Sequence, residues 1–343
     1  MITQTNHRET FRFVPSTSTP VSPERVAELL KAEWELFTKQ TGKSAEESRR
    51  ALKSLPMGVT SSFQHWDPYP ISIVSAKGAW MTDVDGRQLL DLSMGFGAML
   101  AGHLNPVIVE EVKKALESGT LFVTPSPIST DAAERICRRF GIDLVRFTNS
   151  GTESTMYAVR TARAATDKNA IVKIEGGYHG SYDPFVVSSK PPIDKIGDAE
   201  DPIAYTPEGI VPGEIYVVPY NNADALERTF KKHGSSIACF ILEPVLENLG
   251  IVLPDEGYLE RVRELCDEYN VVLIFDEVKT GLTAGHQGAA QRLGVTPDLI
   301  TLAKSIGGGL TLAAFGGKKK YMDFVTNGKM AHFGTFNGNP LAM

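Results

Sequence analysis

The chain has 343 residues, 42% of them apolar and 22% charged, which is the composition of an ordinary globular protein. Its 35 lysines and arginines are outnumbered by 41 acidic residues, and this balance disfavours a nucleic-acid-binding face. The apolar runs have strand length, too short to cross a membrane, and the first residues lack the apolar core of a signal peptide.

The three cysteines, Cys137, Cys239 and Cys266, cannot all pair and do not stand at metal-ligand spacing. Each lies in an apolar or amphipathic run, where a free cysteine usually packs as a small hydrophobe. We therefore expect a protein of the reducing cytoplasm, without a metal site and without a membrane or nucleic-acid partner.

The N-terminal part combines a tail with two helices. Residues 1–20 are polar and rich in serine and threonine, which predicts a flexible tail. A helix is predicted over 22–42, because Ser22 is a capping residue and Pro23 follows at the first helical position. A second short helix is predicted over 45–55.

Short alternating runs over 71–93 predict a small antiparallel meander, since Lys77-Gly78 and Asp85-Gly86 interrupt them as turns do. We expect the two helices and this meander to form an N-terminal region over 21–92, and the remaining residues, 93–343, to form one large domain.

In the large domain helical segments alternate with short apolar strands. This order predicts an α/β fold, a three-layer sandwich in which helices cover both faces of a mainly parallel sheet. Ligands of such sheets bind beyond the carboxyl ends of the strands. The predicted helices cover about 106–117, 129–140, 152–165, 222–233 and 255–269, and the predicted strands 144–148, 170–174, 214–219, 237–242, 271–275, 299–303 and 312–316.

The first three polar strand ends are individually ambiguous. Ser150, Gly151 and Thr152 either present backbone N–H groups to a phosphate at a helix start or form an ordinary helix cap. Tyr178 and His179 either stack on a flat ring or plug a surface turn. Asn248 either bonds a ring hydroxyl or simply forms a turn.

The last two strand ends carry the charges. Asp276 follows five apolar residues, so its carboxylate needs a cationic partner such as a protonated pyridine nitrogen, unless it caps a helix or forms a salt bridge. Lys304 stands before three glycines and is either a solvated lysine at a turn or an amine that forms a Schiff base with an aldehyde cofactor. Together, the five strand ends provide the groups that pyridoxal 5′-phosphate requires.

Six motifs in this order resemble the class III aminotransferases of fold type I, closest to the glutamate-1-semialdehyde 2,1-aminomutase subgroup. The similarity covers roughly residues 56–343 and rests on "FTNSGTES", "GGYHG", "EPVLENLG", "FDEVKTG", "PDLITLAKSIGGG" and "FGTFNGNPLAM". The resemblance implies the pyridoxal-phosphate-dependent transferase fold, with a segment of the small domain at the N-terminus. It also implies that the C-terminal small domain of the family is absent and that the chain is truncated at "GNPLAM".

The resemblance assigns roles at the matching positions. Lys304 would form the Schiff base, and Asp276 would pair with the pyridine nitrogen. Tyr178 would stack on one ring face, beside His179, and Val278 would lie against the other. It also implies that Asn248 approaches the ring hydroxyl, that Ser150, Gly151 and Thr152 hold the phosphate, and that Thr335 reaches the phosphate of a neighbouring subunit in a homodimer.

Three departures from the aminomutase affect the expected substrate. Gln64 stands where the aminomutase has an arginine that grips the substrate carboxylate, and an amide supplies no charge for that grip. Phe96 replaces a tryptophan, and Lys279 replaces an apolar residue. Lys279 or Arg87 is an alternative carboxylate ligand.

These observations predict an aminotransferase that moves an amino group between an amino acid or amine and a carbonyl acceptor through a Lys304 Schiff base. Two alternatives stay open at this point. One is the aminomutase reaction itself, which forms 5-aminolevulinate, and the other is an inactive, truncated partner subunit.

Overall fold

A computed structural model describes residues 22–197, 202 and 204–343. They form two compact units, the described part of Met1–Ala76 with Met81–Leu90, and Lys77–Trp80 with Asp91–Met343. The predicted tail over 1–20 lies outside the described residues, and the domain limits 21–92 and 93–343 stay predictions. None of the described helices is long and apolar enough to cross a membrane.

The first unit begins with two helices, α1 (Pro23–Gln40) and α2 (Gly42–Ala51). Ser22 caps α1 as predicted, because its hydroxyl accepts a hydrogen bond from the backbone N–H of Arg25 at 3.2 Å. The limits predicted for α2 are wrong at both ends. The carboxylate of Asp85 accepts from the Lys43 and Ser44 N–H groups at 2.8 and 3.1 Å, and this distant cap starts the helix early.

Three short strands follow and form one sheet in the order β1-β2-β3. They are β1 (Ile73–Lys77), β2 (Trp80–Asp83) and β3 (Gln88–Leu90). Their neighbours along the chain are their neighbours in the sheet, as expected of a meander.

The second unit contains a seven-stranded sheet in the order β4-β10-β9-β8-β7-β5-β6. All strands run in one direction except β10, which is antiparallel to both β4 and β9, so the mainly parallel sheet is confirmed. The strands are β4 (Leu144–Thr148), β5 (Ala170–Ile174), β6 (Ile215–Val218), β7 (Ile237–Leu242), β8 (Val272–Asp276), β9 (Leu299–Leu302) and β10 (Ala313–Gly317).

Helices cover both faces of this sheet and complete the three layers. On one face, α7 and α8 pack on alternate strand residues such as Leu273 and Phe275, and on the other face α5 and α10 pack on Val272 and Ile274. Both faces are buried, which is why these strands read as continuous apolar runs. The helices are α3 (Pro106–Ser118), α4 (Pro127–Phe140), α5 (Gly151–Thr166), α6 (Asp183–Val186), α7 (Ala223–His233), α8 (Tyr258–Glu268), α9 (Gly288–Leu293) and α10 (Lys319–Thr326).

One core position is unusual, because Lys173 on β5 is completely buried in the sheet. Its ammonium nitrogen donates to the carbonyl of Val187 at 2.6 Å. Burial lowers the pKa of Lys173 to about 7, and the nearby carboxylates of Glu175 and Glu243 oppose this shift. The fold therefore contains a lysine whose charge is costly near neutral pH.

This burial predicts a pH-dependent stability. In the unfolded chain Lys173 titrates near its ordinary pKa of 10.5, so between about pH 7 and 10.5 the unfolded state holds a proton that the folded state lacks. The free energy of unfolding then rises with pH across that window, by up to about 1.4 kcal/mol per pH unit. We expect Lys173→Met to remove this slope in urea unfolding measured from pH 6 to 10.

The exposed Lys232→Met is the control and should keep the wild-type slope. Equal slopes in wild type and Lys173→Met would show that folding does not lower the pKa of Lys173.

Candidate active site

The carboxyl ends of the predicted strands lie on the same side of the sheet, because β4, β5, β7, β8 and β9 all run in the same direction. A cavity of about 220 Å³ lies there, far larger than the roughly 10–15 Å³ that one water needs. Nine of the ten predicted site residues line it: Ser150, Gly151, Thr152, Tyr178, His179, Asn248, Asp276, Val278 and Lys304.

The start of α5 forms one wall of this cavity. Ser150 is its N-cap, and its hydroxyl accepts from the Glu153 N–H at 3.2 Å. Among the described residues, neither Gly151 nor Thr152 has an acceptor for its backbone N–H, so both groups are available to an anion. A Cβ at Gly151 would lie 3.3 Å from the methyl groups of Val278, so glycine permits this close approach.

The loop that carries Tyr178 and His179 is fastened to α5. Thr152 accepts from the Ser181 N–H at 3.1 Å, and the Thr155 hydroxyl donates to the carbonyl of His179 at 2.7 Å. Gly180 has φ of +101°, and a Cβ there would lie 2.7 Å from Cα of Thr152. The loop can pack this closely only with glycine at that position, and the ring of Tyr178 is left exposed on the cavity wall.

Asp276 ends β8 as a buried carboxylate with three protein donors. One oxygen accepts from Nδ1 of His179 at 2.8 Å, and the other from the Val278 N–H at 3.0 Å and the Thr301 hydroxyl at 3.1 Å. Since a carboxylate can only accept, Nδ1 of His179 carries its proton here. None of these contacts is a helix cap. The pair with His179 is the one contact that matches the predicted salt-bridge alternative for Asp276.

Lys304 lies two residues beyond the end of β9 and is half-buried at the cavity. Burial lowers the pKa of its amine, and the negative charge of Asp276 opposes part of the shift. Its backbone has φ of +50°, a conformation that costs a non-glycine residue about 1 kcal/mol or more. Backbone strain of this kind is common at functional sites, where the surrounding structure holds it in place.

Glu243, whose position in the chain suggested only a strand end, is a site residue that the motif analysis missed. Its carboxylate accepts from the Tyr178 N–H and the Asn248 N–H, each at 3.3 Å, and it lines the cavity with them. It therefore ties two site loops from different strands together. The sequence feature that could have identified Glu243 is its position directly after β7, which is similar to the position of Asp276 at the end of β8.

Four other positions lie outside this cavity. Thr335 is exposed and lines a separate cavity with Phe122 and Phe333, and Phe96 is also exposed. In the first unit, the side-chain oxygen of Gln64 accepts from Thr60 and Ser61, and Arg87 pairs with Asp83 at 2.7 Å. Within the second unit, the structure does not gather Thr335 and Phe96 with the other site residues.

Comparisons with known proteins identify the family. A family model of class-III aminotransferases matches residues 62–343. The glutamate-1-semialdehyde 2,1-aminomutase of Methanocorpusculum labreanum is 42% identical over 88% of this chain and 73% of its own length. The enzyme of the same name from Persephonella marina is 42% identical over 87% of this chain and 69% of its own.

The chain belongs to the class-III aminotransferase family. Solved structures agree with this assignment. An omega-transaminase from Sphaerobacter thermophilus is 36% identical, with a TM-score of 0.82 over 87% of this chain and 70% of its own. A glutamate-1-semialdehyde aminomutase from Pseudomonas aeruginosa, crystallised with PMP, is 26% identical, with a TM-score of 0.85 over 94% of this chain and 73% of its own.

This member of the class-III aminotransferase family is thus a pyridoxal 5′-phosphate-dependent enzyme with the fold of its family. The described residues fit the cofactor, because one cavity combines two free N–H groups at a helix start, a buried carboxylate and a lysine whose pKa is lowered. Each of these features suits a different part of the cofactor, which carries a phosphate, a pyridine nitrogen and an aldehyde.

The close packing at Gly180 yields a test of the site framework. Gly180→Ala would place a methyl group against Thr152 and force α5 and the aromatic loop apart. We expect a loss of about 2 kcal/mol or more in the free energy of unfolding, together with weaker cofactor binding. Urea unfolding and cofactor titration of the purified variant measure both effects.

Gly209→Ala is the matched control, because Gly209 also has a positive φ of +77° but a Cβ there would meet nothing within 4 Å. It should lose only about 1 kcal/mol and bind the cofactor normally. The same result in both variants would mean that the contact with Thr152 does not matter.

Proposed function

We propose that the protein is an aminotransferase that moves an amino group between an amino acid or amine and a carbonyl acceptor, with Lys304 as the amine that links covalently to the cofactor. When bound, pyridoxal 5′-phosphate supplies an aldehyde that links to amines and a ring that takes up electrons from the substrate. The proposal rests on one observation, the joint placement of Lys304, Asp276 and the start of α5 on a single cavity.

The proposed binding roles follow from the available groups. Ser150, Gly151 and Thr152 would hold the phosphate, since the start of α5 offers unpaired N–H groups and the positive end of the helix dipole. Tyr178 would cover one ring face and Val278 the other. Asn248 would bond the ring hydroxyl with its amide, which has no hydrogen-bond partner among the described residues.

The proposed proton chemistry involves two residues. Asp276 would keep a proton on the pyridine nitrogen, because its buried negative charge favours a cation beside it. Its bond to His179 orients the carboxylate. Lys304, whose pKa is lowered by burial, would give up its ammonium proton more readily than an exposed lysine and would move the proton between the substrate carbon and the cofactor as a general base.

Replacing Lys304 tests this assignment. We expect Lys304→Ala to reduce turnover by at least about 100-fold, because it removes both the covalent link and the general base. The visible absorbance of the lysine-bound cofactor should also disappear. Lys113→Ala, which removes an exposed lysine of α3, is the control and should retain both properties.

A Lys304→Ala variant with wild-type absorbance and full turnover would refute the assignment. A wild-type protein that takes up no cofactor and copurifies with a longer relative would favour the inactive partner subunit instead.

A second candidate is the aminomutase reaction, which the 42% identity to proteins named glutamate-1-semialdehyde 2,1-aminomutase supports. Against it stands Gln64, whose side-chain oxygen caps a local turn and which carries no charge for a carboxylate. Incubation with glutamate-1-semialdehyde and an assay for 5-aminolevulinate separates the two. We expect little 5-aminolevulinate, and turnover comparable to transamination would favour the mutase.

The proposed assembly is a homodimer in which Thr335 reaches a neighbouring site. Two facts support it. Thr335 is exposed away from the cavity of its own chain, and large apolar side chains near it, such as Phe333 and Val123, are 81% and 71% exposed. Sedimentation equilibrium measures the mass, and a monomer at micromolar concentration would contradict the proposal.

A further inference from the structure

The cavity has one charged wall residue that the proposed roles leave without a task, Lys279. The two buried carboxylates, Asp276 and Glu243, are already satisfied by protein donors, and Lys304 serves the cofactor. Lys279 follows Val278 in the turn after β8 and lines the same cavity. It is therefore a spare positive charge beside the reacting amine.

The ammonium of Lys279 is unpaired within the described residues. No carboxylate of that part of the chain lies within ion-pair distance of it, and its nitrogen makes no hydrogen bond there. The residue is nevertheless half-buried, which removes part of its hydration. A half-buried cation without a partner, on the wall of a substrate-sized cavity, indicates an anionic ligand that binds from outside.

Arg87 and Gln64 of the first unit have neighbours of their own there. Arg87 donates to Asp83 through Nε and belongs to the first unit. Gln64, in the same unit, carries no charge, and its side-chain oxygen accepts hydrogen bonds from Thr60 and Ser61. Lys279 belongs to the second unit and lines its cavity.

We propose that Lys279 binds the carboxylate of the substrate, so that the enzyme acts on amino acids and oxo acids in preference to simple amines. This inference rests on the proposed aminotransferase function. The carboxylate of Glu247, in the turn after β7, lies beyond ion-pair distance of Lys279, but the two charges act on each other, and Glu247 opposes the incoming carboxylate.

The surrounding charges place this anion near the reacting amine. The charge of Lys279 acts on Lys304 and on Glu247, and that of Glu247 also acts on Lys304. These three residues follow β9, β8 and β7, which are adjacent strands of the sheet. An anion held by Lys279 thus lies near the reacting amine.

The experiment uses holoenzyme and two kinds of probe. The first is a panel of α- and β-amino acids, each paired with the amine that lacks only its carboxylate, and the readout is the half-reaction rate from the cofactor absorbance. The second is calorimetric binding of propanoate, 3-phenylpropanoate and glutarate, against the corresponding amides. The variants are Lys279→Met, Glu247→Gln and the exposed control Lys113→Met.

A charge-assisted contact of this type typically increases the binding affinity by roughly 10- to 100-fold. We therefore expect Lys279→Met to lower the preference for acid over amine, and the affinity for the carboxylates, by about that factor. Glu247→Gln should raise the preference for acid over amine and the affinity for the carboxylates, each by about two- to fivefold. Lys113→Met should match the wild type.

Three results would overturn the inference. They are a wild type that binds no carboxylate better than its amide, an unchanged acid preference in Lys279→Met, and a loss of cofactor affinity in Lys279→Met without a change in that preference. The last would assign the lysine to the cofactor. If the wild type reacts with neither acids nor amines, the proposed function fails, and calorimetry still decides the role of Lys279.

Discussion

The common direction of five strands is the constraint on which the site depends. Because β4, β5, β7, β8 and β9 all run in the same direction, five loops that are far apart in the chain meet at the carboxyl ends of these strands. A parallel sheet of this kind is stable only when both faces are covered. The helices that bury its apolar faces thus also bring together a lysine, a carboxylate and a helix start.

Hydrogen bonds between loops then refine this coarse arrangement. Glu243 links the backbone of Tyr178 to that of Asn248, and Thr155 fastens the carbonyl of His179 to α5. His179 in turn holds Asp276. Buried polar groups that are satisfied in this way are rigid, so the site is preorganised before any ligand arrives.

Local patterns predicted the limits of three strands of the large sheet correctly. β4, β5 and β7 have the predicted limits, because apolar runs bounded by turn residues are read directly from the chain. The limits of α2 were wrong, since Asp85 caps that helix from more than forty positions away. The short helices α6 and α9 were missed, because segments of four and six residues carry too little periodicity.

The sequence by itself determined the residue types at the strand ends and their order, because chemistry and chain position are local properties. Nine of the ten site residues predicted from the sequence line one cavity, and that set includes Asp276 and Lys304. Only the tertiary structure decided the bracing role of Glu243, the separate location of Thr335 and the unpaired state of Lys279. These depend on which distant groups become neighbours, and spacing along the chain does not encode that.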